Sequence, residues 1–314
     1  MWAYNETFYQ IYPIGFCGAP THNDGICVPR ILKLKDWSSY LENLQIGSVL
    51  LNPIFESDNH GYDTRDFKKV DCRLGTNEDF QDVCDDLHKH HIKIVLDGVF
   101  NHVGRGFWAF QDVQEKKWDS PYKDWFYINF DGDSCYQDGF WYEGWEGHFE
   151  LVKLNLQNPA VTDYLLDCVR FWIETFDIDG LRLDVAYSLD HNFMRRLRSF
   201  CEEQKPGFVL IGEVLFGDYN LIVYAGNVCR FCIRQLQRAY RAEDFSLRDC
   251  GGCRKGETGR KCLQENSRHY KLHGRGRQRP HEGNGAGELP AHQGRGEADC
   301  AGGTGAYQKR SGAV

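Results

Sequence analysis

Short apolar runs and longer amphipathic segments alternate along the first 226 residues, and this alternation restricts the fold more than any other feature. Runs typical of buried strands occur at 8–12, 48–52, 92–97, 181–185 and 209–211. Strands that alternate with helices imply a parallel sheet with helical crossovers. About five β/α units are present, which fits either an open doubly wound sheet or part of an eight-stranded barrel.

The segments between these runs have helical patterns. Thr76, followed three residues later by Asp79, has the pattern of a helix N-cap. Apolar residues at helical spacing predict helices near 37–44, from Thr76 to His91, over 161–176 and near 193–200.

The position of acidic residues favours the barrel over the doubly wound sheet. Asp97, Asp184 and Glu213 each stand at the end of an apolar strand, and barrel enzymes carry their chemistry at the C-terminal ends of the strands. The predicted fold class is therefore α/β, a partial (β/α)8 TIM barrel. Arg182 precedes Asp184 by two residues, so both side chains point to one face of a strand. A cation there keeps Asp184 ionised and fixes its orientation.

One connection is too long to be a simple crossover. The segment from His102 to Asn155 lacks a clear crossover helix and is rich in aromatic residues. We interpret 103–155 as a small inserted domain after strand 3. Its tryptophans are either platforms for sugar rings or, for the most part, the core of the inserted domain, and we favour the core; they are Trp108, Trp118, Trp125, Trp141 and Trp145.

Composition excludes several classes of partner. The formal net charge of −8 argues against binding to nucleic acid. No apolar stretch has the length needed to cross a membrane, and the N-terminus lacks a signal-peptide pattern. We therefore expect a cytoplasmic protein with reduced thiols. His88, His90 and His91 suggest a metal site, but on a helix we interpret them as a solvated face.

The last 88 residues differ from the rest of the chain. Residues 227–314 hold 17 Lys and Arg against 9 Asp and Glu, whereas residues 1–226 hold 20 against 36, and all eight Trp precede residue 173. This Gly-, Arg- and Cys-rich tail has almost no apolar periodicity, which predicts that it has no stable fold. Cys229, Cys232, Cys250 and Cys253 have a zinc-like spacing, but we prefer out-of-frame translation beginning between Asp218 and Asn227, with a genuine disordered tail as the alternative.

Six segments of the first 226 residues resemble the alpha-amylase family of glycoside hydrolases, in the family's order. Three resemble signature motifs, namely Asp97-Gly-Val-Phe-Asn-His102, Gly180-Leu-Arg-Leu-Asp184 and Gly212-Glu213-Val214. Three supporting segments are Gly61-Tyr-Asp-Thr-Arg-Asp-Phe67, Gly75-Thr-Asn-Glu-Asp-Phe80 and Leu151-Val-Lys-Leu-Asn155 with Asn158-Pro159. Leu151-Val-Lys-Leu-Asn155 and Phe100-Asn-His-Val-Gly104 are most similar to the neopullulanase, cyclomaltodextrinase and maltogenic amylase branch.

The resemblance implies a retaining hydrolase of α-glucosidic bonds in maltooligosaccharides, cyclodextrins or related α-glucans. Such an enzyme needs a carboxylate nucleophile and a carboxylic acid about 5–5.5 Å apart. Asp184 is expected to be the nucleophile and Glu213 the acid/base, because successive parallel strands bring their ends together. For Asp97, holding Arg182 and a substrate hydroxyl is favoured over direct chemistry.

The same resemblance implies roles for two further residues and bears on whether a metal ion is bound. His102 is expected to donate to a sugar hydroxyl, and Tyr62 to stack on a sugar ring. No cofactor is expected: Asn101 is present, but relatives with an interfacial calcium carry Lys and His at the positions of Tyr187 and Ser188.

One motif of the family is missing from the sequence. No Asn-His-Asp triplet, which supplies a third carboxylate and a histidine, follows Glu213, and strands six to eight are not recognisable. Two functions therefore stay open for the printed chain. The first is an α-glucan hydrolase whose activity is lost or nearly lost by truncation, and the second is a non-catalytic remnant that at most binds sugar weakly.

Overall fold

The structure, a computed structural model, describes residues 2–214 and the backbone of 231–232, all within one compact unit. The strands are β1 (Phe8–Ile11), β2 (Ser48–Leu51), β3 (Phe55–Ser57), β4 (Thr64–Val70), β5 (Lys93–Gly98), β6 (His102–Gly104), β7 (Ile128–Asn129), β8 (Trp141–Tyr142), β9 (Gly144–Trp145), β10 (His148–Lys153), β11 (Gly180–Leu183), β12 (Val209–Gly212) and β13 (Phe231–Cys232). The α-helices are α1 (Pro13–Phe16), α2 (Ser38–Asn43), α3 (Asn77–Lys89), α4 (Trp108–Lys116), α5 (Pro159–Phe176) and α6 (His191–Gln204).

The main sheet has the strand order of a barrel. Its six strands run β1-β2-β5-β11-β12-β13, and every neighbouring pair is parallel. The order follows the chain without reversal, whereas a doubly wound sheet reverses at a switch point. The fold is thus the predicted partial (β/α)8 TIM barrel. Strand β13 comes from the segment predicted to be a tail and was not predicted; residues 215–230 and 233–314 lie outside the described residues.

The two faces of the sheet bury separate apolar clusters, as a side-chain period of two requires. Leu50 of β2 and Val95 of β5 pack together with Val209 and Ile211 of β12, and Ala3 joins them. Their chain neighbours on the same strands point the other way, into a larger cluster that the helices cover. Residues on the Leu50 face form the apolar interior of the partial barrel.

The crossover helices begin with side-chain caps that the sequence makes visible. Thr76 and Asp79 form the predicted capping box at the start of α3. Asn158 caps α5, whose first residue is Pro159, and Asp190 caps α6. The helix predicted near 37–44 is shorter than expected, because a 3-10 helix at Arg30–Trp37 precedes α2.

The long connection after β5 folds into small elements of its own. It contains α4 and strands β6 to β10, and the crossover helix α5 follows it. Strands β6, β10 and β9 form one antiparallel sheet, and β7 pairs with β8. Of its tryptophans, Trp125 is buried, whereas Trp108, Trp118 and Trp141 are exposed by 38–65%. Buried aromatic packing in this segment comes mainly from phenylalanine and tyrosine.

Among the described residues, no helix combines the length and apolar character that a membrane crossing requires.

Candidate active site

Polar side chains continue the interior face of the barrel at the C-terminal ends of its strands. The strand register pairs Arg182 with Asp97 and with Ile211, and it pairs Gln10 with Leu50. Side chains alternate between the two faces of a strand. A residue two positions after an interior apolar residue therefore also points into the barrel. These residues are Gln10 on β1, Asn52 after β2, Asp97 on β5, Arg182 and Asp184 on and after β11, and Glu213 after β12.

Arg182 binds three carboxylates. Its Nη1 donates to Asp97 Oδ1 at 2.7 Å, to Asp97 Oδ2 at 2.8 Å and to Asp184 Oδ1 at 2.9 Å. Its Nη2 lies 2.8 Å from Glu213 Oε2. All four residues are at most 7% exposed. One guanidinium therefore holds the two predicted catalytic carboxyls together with Asp97.

Three buried carboxyls around one cation cannot all ionise easily. Burial raises the pKa of Asp184 to about 8, and the charge of Asp97 adds to this increase. Burial likewise raises the pKa of Asp97, although Arg182 opposes the shift. Fully ionised, the cluster would carry two uncompensated negative charges. It therefore keeps a proton near neutral pH, and the proton belongs to the cluster rather than to one residue.

Tyr62 contacts the cluster at Asp97. Its hydroxyl donates to Asp97 Oδ2 at 3.3 Å and accepts a hydrogen bond from Asn52 Nδ2 at 2.7 Å. Gln10 Nε2 in turn donates to Asn52 Oδ1 at 2.9 Å. This chain of amides orients the phenol at the cavity wall. Asn52 and Gln10 were missed in the sequence, although Asn52 ends its strand in the same way as Asp97.

His102 is buried, and one of its ring nitrogens lacks a partner. Asn101 Nδ2 donates to its Nδ1 at 3.2 Å, whereas Nε2 has no hydrogen-bond partner among the described residues. Burial lowers the pKa of His102 to about 3, and nearby His60 contributes to the decrease. The ring is therefore neutral at physiological pH. A buried nitrogen without a partner is rare in folded proteins and here is available to a ligand.

These groups surround a cavity of about 480 Å³. It is lined by Gln10, Asn52, His60, Tyr62, His102, Trp145, His148, Glu150, Leu151, Arg182, Asp184, Val185 and Glu213. Five of the six predicted site residues thus reach the cavity directly, and Asp97 contacts it through Arg182 and Tyr62. The wall formed by residues 145–151 comes from the inserted segment, at the C-terminal end of the strands.

Val185 has a strained backbone next to the carboxylates. Its φ of 39° and ψ of 47° lie in the left-handed region, where a β-branched residue is an outlier. In this conformation its N–H donates to Glu213 Oε2 at 3.1 Å. Strain of this kind persists only where the surrounding structure enforces it, and it concentrates at functional sites. No pattern in the sequence reveals such a contact, because it comes from the backbone.

Among the described residues, no metal-binding group of side chains converges on this cavity. Within the described residues, one group of three, Glu56, Asp71 and Cys72, has ligand atoms close enough to hold an ion. It lies elsewhere, and Asp71 is already paired with buried Arg73 at 2.6 Å. Of the predicted solvated histidines, His88 pairs with Asp179 at 3.1 Å.

Comparisons with known proteins agree on one family. The family model described as the catalytic domain of alpha amylase matches residues 10–229. A maltogenic alpha-amylase from Bacillus acidopullulyticus is 36% identical over 229 residues, which are 68% of this chain and 39% of that protein. Neopullulanase 2 from Thermoactinomyces vulgaris is 37% identical over 231 residues, again 68% of this chain and 39% of that protein. The chain thus spans about two fifths of the length of these relatives.

Solved structures give the same result. A cyclic α-maltosyl-(1→6)-maltose hydrolase from Arthrobacter globiformis superposes with a TM-score of 0.60 at 32% identity, covering 68% of this chain and 51% of the other. A structure titled cyclomaltodextrinase gives a TM-score of 0.63 at 30% identity, covering 74% and 42%.

Proposed function

Because the chain belongs to the alpha-amylase family of glycoside hydrolases, we propose that its cavity is the active site of a retaining α-glycosidase. The observation that carries this proposal is the convergence of Asp184 and Glu213, from adjacent strand ends, on the guanidinium of Arg182. A double displacement at an anomeric carbon requires two carboxyl groups that flank the scissile glycosidic bond, and both of these carboxyls line one sugar-sized cavity.

In the proposed reaction the two carboxyl groups have different roles. Asp184 attacks the anomeric carbon while Glu213 protonates the departing glycosidic oxygen, and the sugar becomes covalently bound to Asp184. Glu213 then takes a proton from water, which displaces Asp184 and releases the sugar with its original anomeric configuration. Arg182 stabilises the ionised form of Asp184. As the general acid, Glu213 carries the proton that it donates to the departing oxygen.

The remaining cavity residues bind and orient the sugar. His102, neutral and with a buried Nε2 that lacks a partner in the described part of the chain, is suited to a hydrogen bond with a sugar hydroxyl. Tyr62 offers its ring as a stacking surface, since its hydroxyl is held by Asn52 and Asp97. Asp97 holds Arg182 and does not line the cavity, so the expected contact with a substrate hydroxyl is not part of this proposal.

We propose α-glucan oligosaccharides as the substrates. The names of the relatives, which include maltogenic amylase, neopullulanase and cyclomaltodextrinase, support this class. One relative is named an intracellular maltogenic amylase, which supports a place of action inside the cell.

Hydrolysis assays on maltotriose, cyclodextrin and pullulan test the proposal. Glu213→Gln should lower the rate about 10²–10⁴-fold, the usual contribution of a general acid, and Asp184→Asn should lower it at least as much. Asp163→Asn removes a surface carboxyl that pairs with Arg196, and it should change nothing. Equal and measurable rates for wild type and Asp184→Asn would exclude this site.

A second candidate is a sugar-binding protein without turnover. The observation that favours it is the absence of an Asn-His-Asp triplet after Glu213 in the printed sequence. Maltotriose binding measured by calorimetry, without product in the assay, would support this candidate over the hydrolase.

A further inference from the structure

The tip of the β9–β10 hairpin contacts the loop that follows Asp184. Tyr187 Oη donates a hydrogen bond to Glu146 Oε1 at 3.2 Å. Tyr187 lies in the short 3-10 helix Ala186–Ser188, and its ring packs against the main apolar core. Glu146 is exposed and lies in the turn of the hairpin. The hydrogen bond therefore joins the inserted segment to the barrel beside the cavity.

The hairpin turn has an unusual residue at this point. Glu146 and Gly147 connect β9 to β10, with φ values of 48° and 88°. A two-residue turn with both φ values positive normally takes Asn, Asp or Gly at its first position. Glutamate is strained there, whereas its side chain is long enough to reach Tyr187. The strain and the hydrogen bond are two separate observations that point to a function for this contact.

Trp145, the residue before Glu146, forms part of the cavity wall. Its ring is tilted against His102 with centroids 5.8 Å apart, and it stacks on His148 at 5.7 Å. Its indole Nε1 is buried and has no hydrogen-bond partner among the described residues. An aromatic face with a hydrogen-bond donor at its edge suits a sugar ring and its hydroxyls. The orientation of this ring depends on the hairpin that carries it.

We propose that the Tyr187–Glu146 hydrogen bond is a latch that holds Trp145 against the cavity and so sets the affinity for the α-glucan. Tyr187 and Glu146 do not line the cavity, so they are positioning residues that act through Trp145. The sugar-binding part of this inference rests on the proposed function. The latch itself does not, because it concerns the ligand-free protein.

The latch is tested by hydrogen exchange of the amides in 143–150, measured on the full chain without sugar. Tyr187→Phe removes the donor, and Glu146→Ala removes the acceptor without relieving the strain of the turn. Both should speed exchange in this segment about threefold to tenfold, the range expected for one net hydrogen bond. Glu146→Gln keeps an acceptor oxygen and should exchange like the parent. Tyr40→Phe, an exposed tyrosine on α2, is the matched control. Unchanged exchange in Tyr187→Phe would overturn the latch.

Its effect on binding is tested with maltotriose in the Asp184→Asn background, where turnover does not interfere. Tyr187→Phe and Glu146→Ala should each weaken binding about threefold to tenfold, and the double variant no more than either single one, because both remove the same contact. Faster exchange with unchanged affinity would overturn the link to binding. Absence of maltotriose binding by the Asp184→Asn parent would contradict the proposed function, and with it the link to binding, while exchange would still decide the latch.

Discussion

Arg182 holds together a cluster of like charges. Within the described residues it contacts Asp97, Asp184 and Glu213 at 2.7–2.9 Å. Removing one partner of a buried ion pair leaves uncompensated charge, which is costly. Arg182→Met should therefore lower the free energy of unfolding by about 3–5 kcal/mol, measured by denaturant unfolding at pH 7. Arg182→Lys should lower the free energy of unfolding less. An ammonium group keeps the positive charge but lacks the planar guanidinium that donates to several carboxylates at once. An unchanged midpoint for Arg182→Met would contradict the charge argument.

Asp184 should make stability depend on pH. Its ordinary pKa is 3.8, and burial raises the value to about 8 in the folded protein. The folded state thus binds more protons than the unfolded state between these values, so this contribution to stability is full below pH 3.8 and is lost as pH rises to about 8. Asn cannot ionise and does not suffer this loss. Asp184→Asn should accordingly raise Tm relative to wild type, more at pH 9 than at pH 5.

Differential scanning calorimetry at the two pH values measures this effect. A gain of 1 kcal/mol corresponds to about 2–4 °C for a protein of this size. The surface variant Asp163→Asn controls for a general change of charge. An equal rise in Tm at pH 5 and pH 9 would mean that ionisation of Asp184 does not destabilise the folded protein.

Strand β6 packs so closely on the Tyr62 loop that it tolerates no side chain at Gly104. A Cβ there would lie 2.4 Å from the carbonyl oxygen of Asp63, which is backbone and cannot move aside alone. Gly104→Ala should lower the free energy of unfolding by about 1–3 kcal/mol and also weaken maltotriose binding, because Tyr62 is next to Asp63. Thermal unfolding and calorimetry check both effects. Wild-type stability and wild-type affinity for maltotriose would contradict the close packing of Gly104 against Asp63.

Elements with strong local patterns could be predicted from the sequence. The five predicted strands are confirmed to within about two residues. For β2, β5, β11 and β12 the reason is that apolar runs mark strands buried on both faces, whereas β1 is only partly buried and alternates. The start of α3 was visible because Thr76 and Asp79 form its cap. The first crossover was predicted less well, since the 3-10 helix at Arg30–Trp37 has no distinct pattern. Strand β13, with two residues, is too short to have a recognisable sequence pattern.

Without the family resemblance, which also pointed to Tyr62 and His102, the candidate site was visible in the sequence only where its chemistry coincides with a strand end. Asp184 and Glu213 follow apolar runs and stand out as charges, whereas Asn52, in the same position on β2, is neutral and was missed. The backbone N–H of Val185 donates to Glu213 because of its local backbone conformation. This conformation cannot be predicted from the sequence. Trp145 reaches the cavity through a hairpin, and the partners of a hairpin depend on the tertiary fold.

At the scale of the whole molecule, the reversal of charge between residues 1–226 and 227–314 remains the largest discontinuity. If the tail is translated out of frame, the coding DNA downstream of residue 217 should contain the family pattern, including Asn-His-Asp, in another frame. Reading all three frames decides this. If none of them contains it, the tail is genuine and our interpretation of its origin is wrong.

Trapping of the glycosyl-enzyme tests the central claim most directly. Glu213→Gln lacks the acid/base, so a substrate with an activated leaving group, such as α-maltosyl fluoride, should still react with Asp184, while water removes the sugar slowly. Mass spectrometry of the intact chain and of its peptides should then find one maltosyl unit on Asp184. The Asp184→Asn, Glu213→Gln double variant should remain unlabelled. Absence of an adduct, or an adduct on another residue, would contradict the assignment of Asp184 as the nucleophile of a retaining α-glycosidase.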